Sequence, residues 1–276
     1  MAHSGLSLVR LAIALALFGL GACSTPRIDL VGWRERTSHE RPAAARGELA
    51  ADLATVDRLR DQDELVRARE LALALAAEHP DDPRVLVAAS RAESDGVFLQ
   101  PESDKDARNH AAASSLDLAE RAAKLGANSA ADRAQLAWAL GTTTHLQPMS
   151  ARSDHARKTL EVARSVLETE PANATALATI ATVHLRLSTL PWIARVFATN
   201  LPDASLAEAE AFARRAVEAR PSRESRLLLA KVLIAAERED DARAVLDEAL
   251  VAPPRFARDH VLEAGVKALR DAHAKR

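Results

Sequence analysis

Residues 209–221 read AEAFARRAVEARP, and residues 242–254 read ARAVLDEALVAPP. Each segment carries a small or apolar residue at its first, fifth and eighth places and a proline at its thirteenth: Ala209, Ala213, Ala216 and Pro221, then Ala242, Leu246, Ala249 and Pro254. Residues 68–80, ARELALALAAEHP, repeat the arrangement with Ala68, Ala72, Leu75 and Pro80. Steps of four and three residues place such side chains on one face of an α-helix. Small ones let a second helix approach closely, and the proline, which has no N–H, ends the helix where the chain must turn. Two further stripes fill the interval: Leu116, Ala119, Ala122 and Ala123 before Gly126, and Val162, Ala163, Val166 and Leu167 before Pro171. A second helical stretch follows every breaker, so the body, residues 48–276, is expected to be an array of helix pairs.

These residues resemble the tetratricopeptide repeat, whose second helix carries small or apolar residues at the same spacing and then a proline. In the last repeat Leu229-Ala230 stands where the motif's first helix has Leu-Gly. The resemblance implies an all-α, TPR-like right-handed α-solenoid of about ten helices. Pro80, Gly126, Pro171, Pro221 and Pro254 lie 46, 45, 50 and 33 residues apart in succession, against about 34 for an ideal repeat, so the inner repeats carry insertions. Two of these, residues 94–106 (SDGVFLQPESDKD) and 141–154 (GTTTHLQPMSARSD), each contain Gly, Pro and an apolar side chain, Phe98 or Met149. They are expected to be loops that follow first helices and narrow the mouth of any groove.

Composition removes several classes. The 276 residues hold 37 basic and 39 acidic side chains, so nucleic acid has no bulk electrostatic reason to bind. One Cys cannot form an internal disulfide or a multi-thiolate metal site. Nine Gly and no Tyr speak against a β-sandwich or barrel. The nine His make no metal pair: His145 and His155 lie ten apart across a Pro-containing stretch, and His184 falls at an inward repeat position. Neither a Gly-x-Ser-x-Gly elbow nor a phosphate-binding loop is present, and Gly19-x-Gly21 lies in the leader. Glu237, Glu239, Asp240 and Asp241 read as a solvated turn between helices. The expectation is a protein that is not an enzyme, with no catalytic residue, no metal and no cofactor beyond a covalent lipid.

That lipid is implied by the N-terminus. Arg10 precedes a run of ten apolar residues, Leu11 to Leu20, too short to span a bilayer. Leu20-Gly21-Ala22-Cys23 resembles a bacterial lipobox, which makes residues 1–22 a signal peptide and Cys23 the acylated residue. Two or three acyl chains at ~0.8 kcal/mol per buried methylene would anchor the protein without a spanning helix. Ser24, which is not Asp, favours the outer membrane with the body facing the periplasm. Residues 23–47 form the lipidated Cys and its tether, with Pro26 and Pro42, many charges and no helical period. Its apolar Ile28, Leu30, Val31 and Trp33 leave docking, contact with lipid and plain disorder open.

A narrower likeness spans about Glu93 to Leu250. Leu190-Pro191-Trp192-Ile193, followed by Leu201-Pro202-Asp203-Ala204-Ser205-Leu206, resembles the regulator-of-microtubule-dynamics family and its bacterial relatives, although the acidic residue expected soon after Trp192 is missing. In this reading Asp203 or Ser205 caps the next helix, Glu208 completes a capping box, and Trp192 wedges between repeats. What carries over is a scaffold fold; a lipid-anchored bacterial chain meets no microtubules. The chain also resembles, more loosely, the lipoprotein T component of some periplasmic solute transporters of the TRAP type.

Stacked helix pairs present a concave face lined by the first helix of each pair. The inward positions of the motif fall on Arg84, Val87 and Arg91, on Trp138 and Thr142, on Thr182, Leu185 and Arg186, and on Leu227 and Lys231. A groove with a Trp, aliphatic patches and cations suits a peptide, a protein C-terminus or an amphipathic small ligand bearing a carboxylate. The other reading stays open, with Trp138 buried between helices and Arg91 and Arg186 only shielding the surface. The expected work is that of a membrane-anchored periplasmic scaffold or adaptor for a protein or peptide partner; the alternative is a solute- or lipid-binding accessory subunit of an envelope transport system.

Overall fold

A computed structural model describes residues 49–191 and 200–273. The signal peptide, Cys23, the tether and Trp192 lie outside the described residues. Within them the chain is all-α, with eleven α-helices and no strand. They are α1 Leu49–Asp61, α2 Leu65–Glu78, α3 Pro83–Leu99, α4 Lys105–Lys124, α5 Ala130–Thr143, α6 Arg152–Thr169, α7 Ala174–Ser188, α8 Leu206–Ala219, α9 Arg223–Ala235, α10 Glu239–Val251 and α11 Asp259–Ala272. Each helix packs on the next described one, and each odd-numbered helix also packs on the odd-numbered helix after it. This is the tetratricopeptide arrangement: an inner row of first helices, an outer row of second helices, and α11 as a single terminal helix.

The outer helices bury the stripes that define the repeat. Ala68, Ala72 and Leu75 of α2, Ala209, Ala213 and Ala216 of α8, and Ala242, Leu246 and Ala249 of α10 are all buried. Larger side chains from the inner row, among them Leu86, Leu140, Leu177, Ile180 and Leu233, fill the space between. Starts follow capping chemistry. Asp82 accepts from the Arg84 N–H with Pro83 in the first turn, Asn173 accepts from Ala176 N–H, and Ser129 and Asp132 form a reciprocal capping box.

Several sequence expectations are corrected. The α4 stripe is Ala111, Ser115, Leu118, Ala119 and Ala122, while Ala123 is exposed and Leu116 only half-buried. Ser115 escapes a hydrophobic reading because it belongs to a buried polar knot. Ser90 Oγ donates to the Ser115 carbonyl at 2.8 Å, Ser115 Oγ donates back to the Ser90 carbonyl at 3.0 Å, and Gln135 Nε2 donates to Ser90 Oγ and Ser94 Oγ. The insertion at 94–106 is mostly helix: Ser94 to Leu99 are the last turns of α3, and only a short link joins it to α4. Ser94 and Asp95 are buried and paired, while Glu102 to Asp106 are exposed, which is why a polar run need not be a loop throughout. At Gly96 an added Cβ would stand 3.0 Å from Arg69 Nε, so glycine leaves room for Arg69 to reach Glu93 at 3.1 Å. The insertion at 141–154 divides between the end of α5, two 3₁₀ turns and the start of α6. Glu239, Asp240 and Asp241 are not a turn but the first turn of α10, where acidic side chains suit the helix dipole. Ser205 is the cap of α8, and the Glu208 carboxylate lies 3.1 Å from His184 Nδ1.

Candidate functional site

The row of inner helices closes on itself. Helix α3 packs on α5, α5 on α7, α7 on α9 and α9 on α11, and α11 returns to touch α3. The sequence reading anticipates an open groove; the structure bends it into a ring, because Arg258 at the start of α11 reaches across to α3 and α9. Its Nε donates to Asp95 Oδ1 at 2.7 Å, its Nη1 to Glu224 Oε1, and its backbone N–H to Asp63 Oδ1 at 3.3 Å. The guanidinium stacks 4.9 Å from the Phe98 ring centroid and 5.3 Å from that of Trp138. Asp95, with 1% of its side chain exposed, also accepts from Arg60 Nε at 2.6 Å. Burial alone would raise the Asp95 carboxyl, but Arg258 and Arg60 outweigh it and hold the group below the usual carboxylate range. Burial would likewise lower Arg258, and Glu224 and Asp95 reverse that to raise it. Arg258 sits at φ 76°, in the left-handed region, a strain its contacts must offset.

Inside the ring is a chamber of about 510 Å³, lined by the C-terminal halves of α3, α5 and α7 and by the first turns of α9 and α11. Its apolar wall comes from Phe98, Trp138, Leu185, Leu227, Leu228 and Leu262. Arg108, Arg186 and Lys231 supply positive charge, with Glu102 and Glu224 opposing them. Arg186 Nη1 donates to the Gly141 carbonyl at 3.0 Å, which positions the fork without neutralising it. Burial holds Arg186 below the usual arginine range. Burial also lowers Lys231, Glu102 resists that change, and Arg186 and Arg108 add to it. Cations so placed gain from an anion that replaces their lost hydration.

Seven of the ten inward positions come together here: Trp138, Thr142, Thr182, Leu185, Arg186, Leu227 and Lys231. Trp138 is half-buried and lies at the boundary with a second, smaller cavity, where Arg91 is found. Arg84 stands apart; its side chain is 64% exposed and its Nη2 pairs with Asp82 at 2.7 Å, where it braces the start of α3. Phe98, Gly141 and His145 bring both insertions to the chamber wall, while Met149 is exposed. Sequence reasoning missed Arg258, Asp95 and Glu224, which no periodicity marks. His184 is fully buried and stacks on Phe212, with ring centroids 6.1 Å apart. Among the described residues no group of three or more His, Cys, Asp or Glu could hold a metal ion, and no helix is long and apolar enough to cross a membrane.

Comparisons with known proteins agree with the architecture. A thermophilic TPR protein of Thermus thermophilus superposes with a TM-score of 0.56 at 17% identity, over 79% of this chain and 98% of that one. A human IFIT1 dimer with PPP-AAAA matches at a TM-score of 0.41 and 16% identity, over 69% of this chain and 46% of that one, too distant to carry an argument. At these identities the likeness shows the fold alone. No curated protein matches the sequence. The model of the family described as regulator of microtubule dynamics protein 1-3 matches residues 52–273, nearly the whole helical body. Repeat pattern, inner row and family match coincide, and the chain belongs to the regulator of microtubule dynamics protein 1-3 family.

Proposed function

We propose that this protein is a non-catalytic scaffold, held at the periplasmic face of a bacterial membrane by a lipid on Cys23, whose chamber receives the carboxylate-bearing end of a peptide or protein partner. One observation carries the reading. Arg186 and Lys231, neither with an ion-pair partner among the described residues, face an apolar wall that contains Phe98, Trp138, Leu185 and Leu227. A terminal carboxylate fits the cations while the last side chains lie on the wall. The lipid anchor is supported by Leu20-Gly21-Ala22-Cys23 behind its short apolar run. A second reading, an amphipathic organic acid held as a solute or lipid ligand, draws support from ring closure, which leaves a bounded chamber of about 510 Å³ within the range of small-molecule sites (about 300–1,000 Å³).

A photocrosslinker at Thr182, inside the chamber, and at Val251, 85% exposed, tests both in intact cells. A protein adduct of defined mass from Thr182 and not from Val251 supports the scaffold; a small adduct in its place supports the second reading. Arg186→Ala with Lys231→Ala is expected to reduce the Thr182 adduct about tenfold or more, since a hydrogen bond to a charged group is worth about 1.5–3 kcal/mol. An adduct indifferent to both substitutions sinks the chamber as the site. Separately, Cys23→Ala is expected to move the chain from the membrane to the soluble fraction, and unchanged membrane retention would remove the anchor.

A further inference from the structure

The second cavity lies at the other end of the ring, where α5, α7 and α9 begin. It measures about 230 Å³, against about 510 Å³ for the chamber and below the ~300–1,000 Å³ usual for drug-sized ligands. Its wall is polar: apart from Trp138 and small alanines, the cavity meets Arg60, Arg91, Arg220, Arg258, Glu224 and hydroxyl or amide side chains, Thr175 among them.

The charges do not cancel. Arg60 and Arg258 are committed to Asp95, and Arg258 also to Glu224. Arg60 also lies 3.9 Å from Asp57, so the paired carboxylates, Asp57, Asp95 and Glu224, all fall to Arg60 and Arg258, and Arg91 and Arg220 are left without an ion pair. Arg91 makes no hydrogen bond or ion pair among the described residues, and the side chain of Arg220 has only a 3.5 Å contact with Thr175 Oγ1. Burial holds both arginines below their usual range; Arg60 adds to it at Arg91 against Asp57, Asp132 and Asp95, and at Arg220 Glu224 opposes it while Arg258 and Arg60 add to it. Three helix N-terminal turns add further positive potential.

We propose that this cavity is a binding site for a compact, wholly polar dianion, such as inorganic phosphate or a short dicarboxylate, held between Arg91 and Arg220 with Thr175 as a hydroxyl donor. Two uncompensated guanidinium forks match two negative charges. The small volume and the lack of any aliphatic side chain larger than alanine in its wall exclude a ligand with an apolar tail, which separates this site from the chamber.

Calorimetric titration of the full chain in detergent with phosphate, with succinate and with acetate tests the assignment. Phosphate or succinate is expected to bind one to one, and acetate, with one charge, about tenfold or more weakly. The better of the two dianions identifies the ligand class. Arg91→Gln and Arg220→Gln each reduce dianion binding about tenfold or more, Arg91→Lys restores part of it, and Arg157→Ala, exposed and outside both cavities, leaves it unchanged; the Thr182 adduct persists in Arg91→Gln, so failure here is distinguishable from failure of the chamber. Without ligand, Arg91→Gln is expected to raise the melting temperature, because it removes a desolvated cation repelled by Arg60; a purely structural Arg91 would lower it. No binding of either dianion, or binding unaffected by the Arg91→Gln and Arg220→Gln pair, overturns the site.

Discussion

Replacing Arg258 with Ala is expected to destabilise the protein by about 3–5 kcal/mol, the usual cost of removing one member of a buried charge cluster. The loss is large because two carboxylates depend on this guanidinium. Asp95 would keep only Arg60, and Glu224 would lose its cation while remaining half-buried. Phe98 and Trp138 would lose the guanidinium stacked between them as well. Urea titration reads the total, and amide exchange locates it: α11 should open before the rest of the body, since the ring is fastened through its first turn. Arg258→Gly is expected to cost about 1 kcal/mol less than Arg258→Ala, because glycine alone adopts the left-handed backbone there without penalty (about 1–2 kcal/mol for other residues). An exposed pair such as Arg157 with Asp154 serves as the contrast, where Arg157→Ala should cost less than about 1 kcal/mol. If Arg258→Ala costs no more than that, closure of the ring contributes nothing to stability.

Leu233→Ala is expected to cost about 2–5 kcal/mol, the range for a buried leucine whose cavity only partly collapses. Leu233 is fully buried in the same apolar cluster as Ala242, Leu246, Ala249 and Val266. The neighbours decide where in the range the value falls. Alanines on the facing helix have no length with which to fill the void, so the cost should lie in the upper half. The midpoint of chemical denaturation should fall without a change in its slope. A loss under about 1 kcal/mol would mean that the helix pairs slide together readily and that small residues do not set their spacing.

The outer helices were legible in the sequence because their burial depends on size at fixed intervals: Ala209, Ala213 and Ala216 announce a helix face as clearly as large hydrophobes would. The inner row was legible in register, so Trp138, Thr142, Thr182, Arg186 and Lys231 could be placed on one side of successive helices. What escaped reading were the polar residues that pack. Ser115 and Gln135 look like surface until Ser90 and Ser94 are seen to satisfy them. Asp95, in a run of Ser, Asp and Gly, reads as loop until its two arginines are known. The partner that matters most to it lies 163 residues away in the chain, and pairing at that distance leaves no periodic trace. Arg84 was misplaced for a local reason: a cap carboxylate, Asp82, stands two residues before it and captures the side chain at the helix end.

Helical-repeat proteins ordinarily gain or lose units freely, since each contacts only its neighbours. This one cannot. An added helix pair would carry Arg258 about 8–10 Å further along the stack, far beyond a contact of 2.7 Å with Asp95, and a deleted pair would leave the two ends overlapping. The fastening of α11 to α3 thus counts the units between them, and lineages that keep it are bound to that number and must diversify through the walls of the two cavities instead.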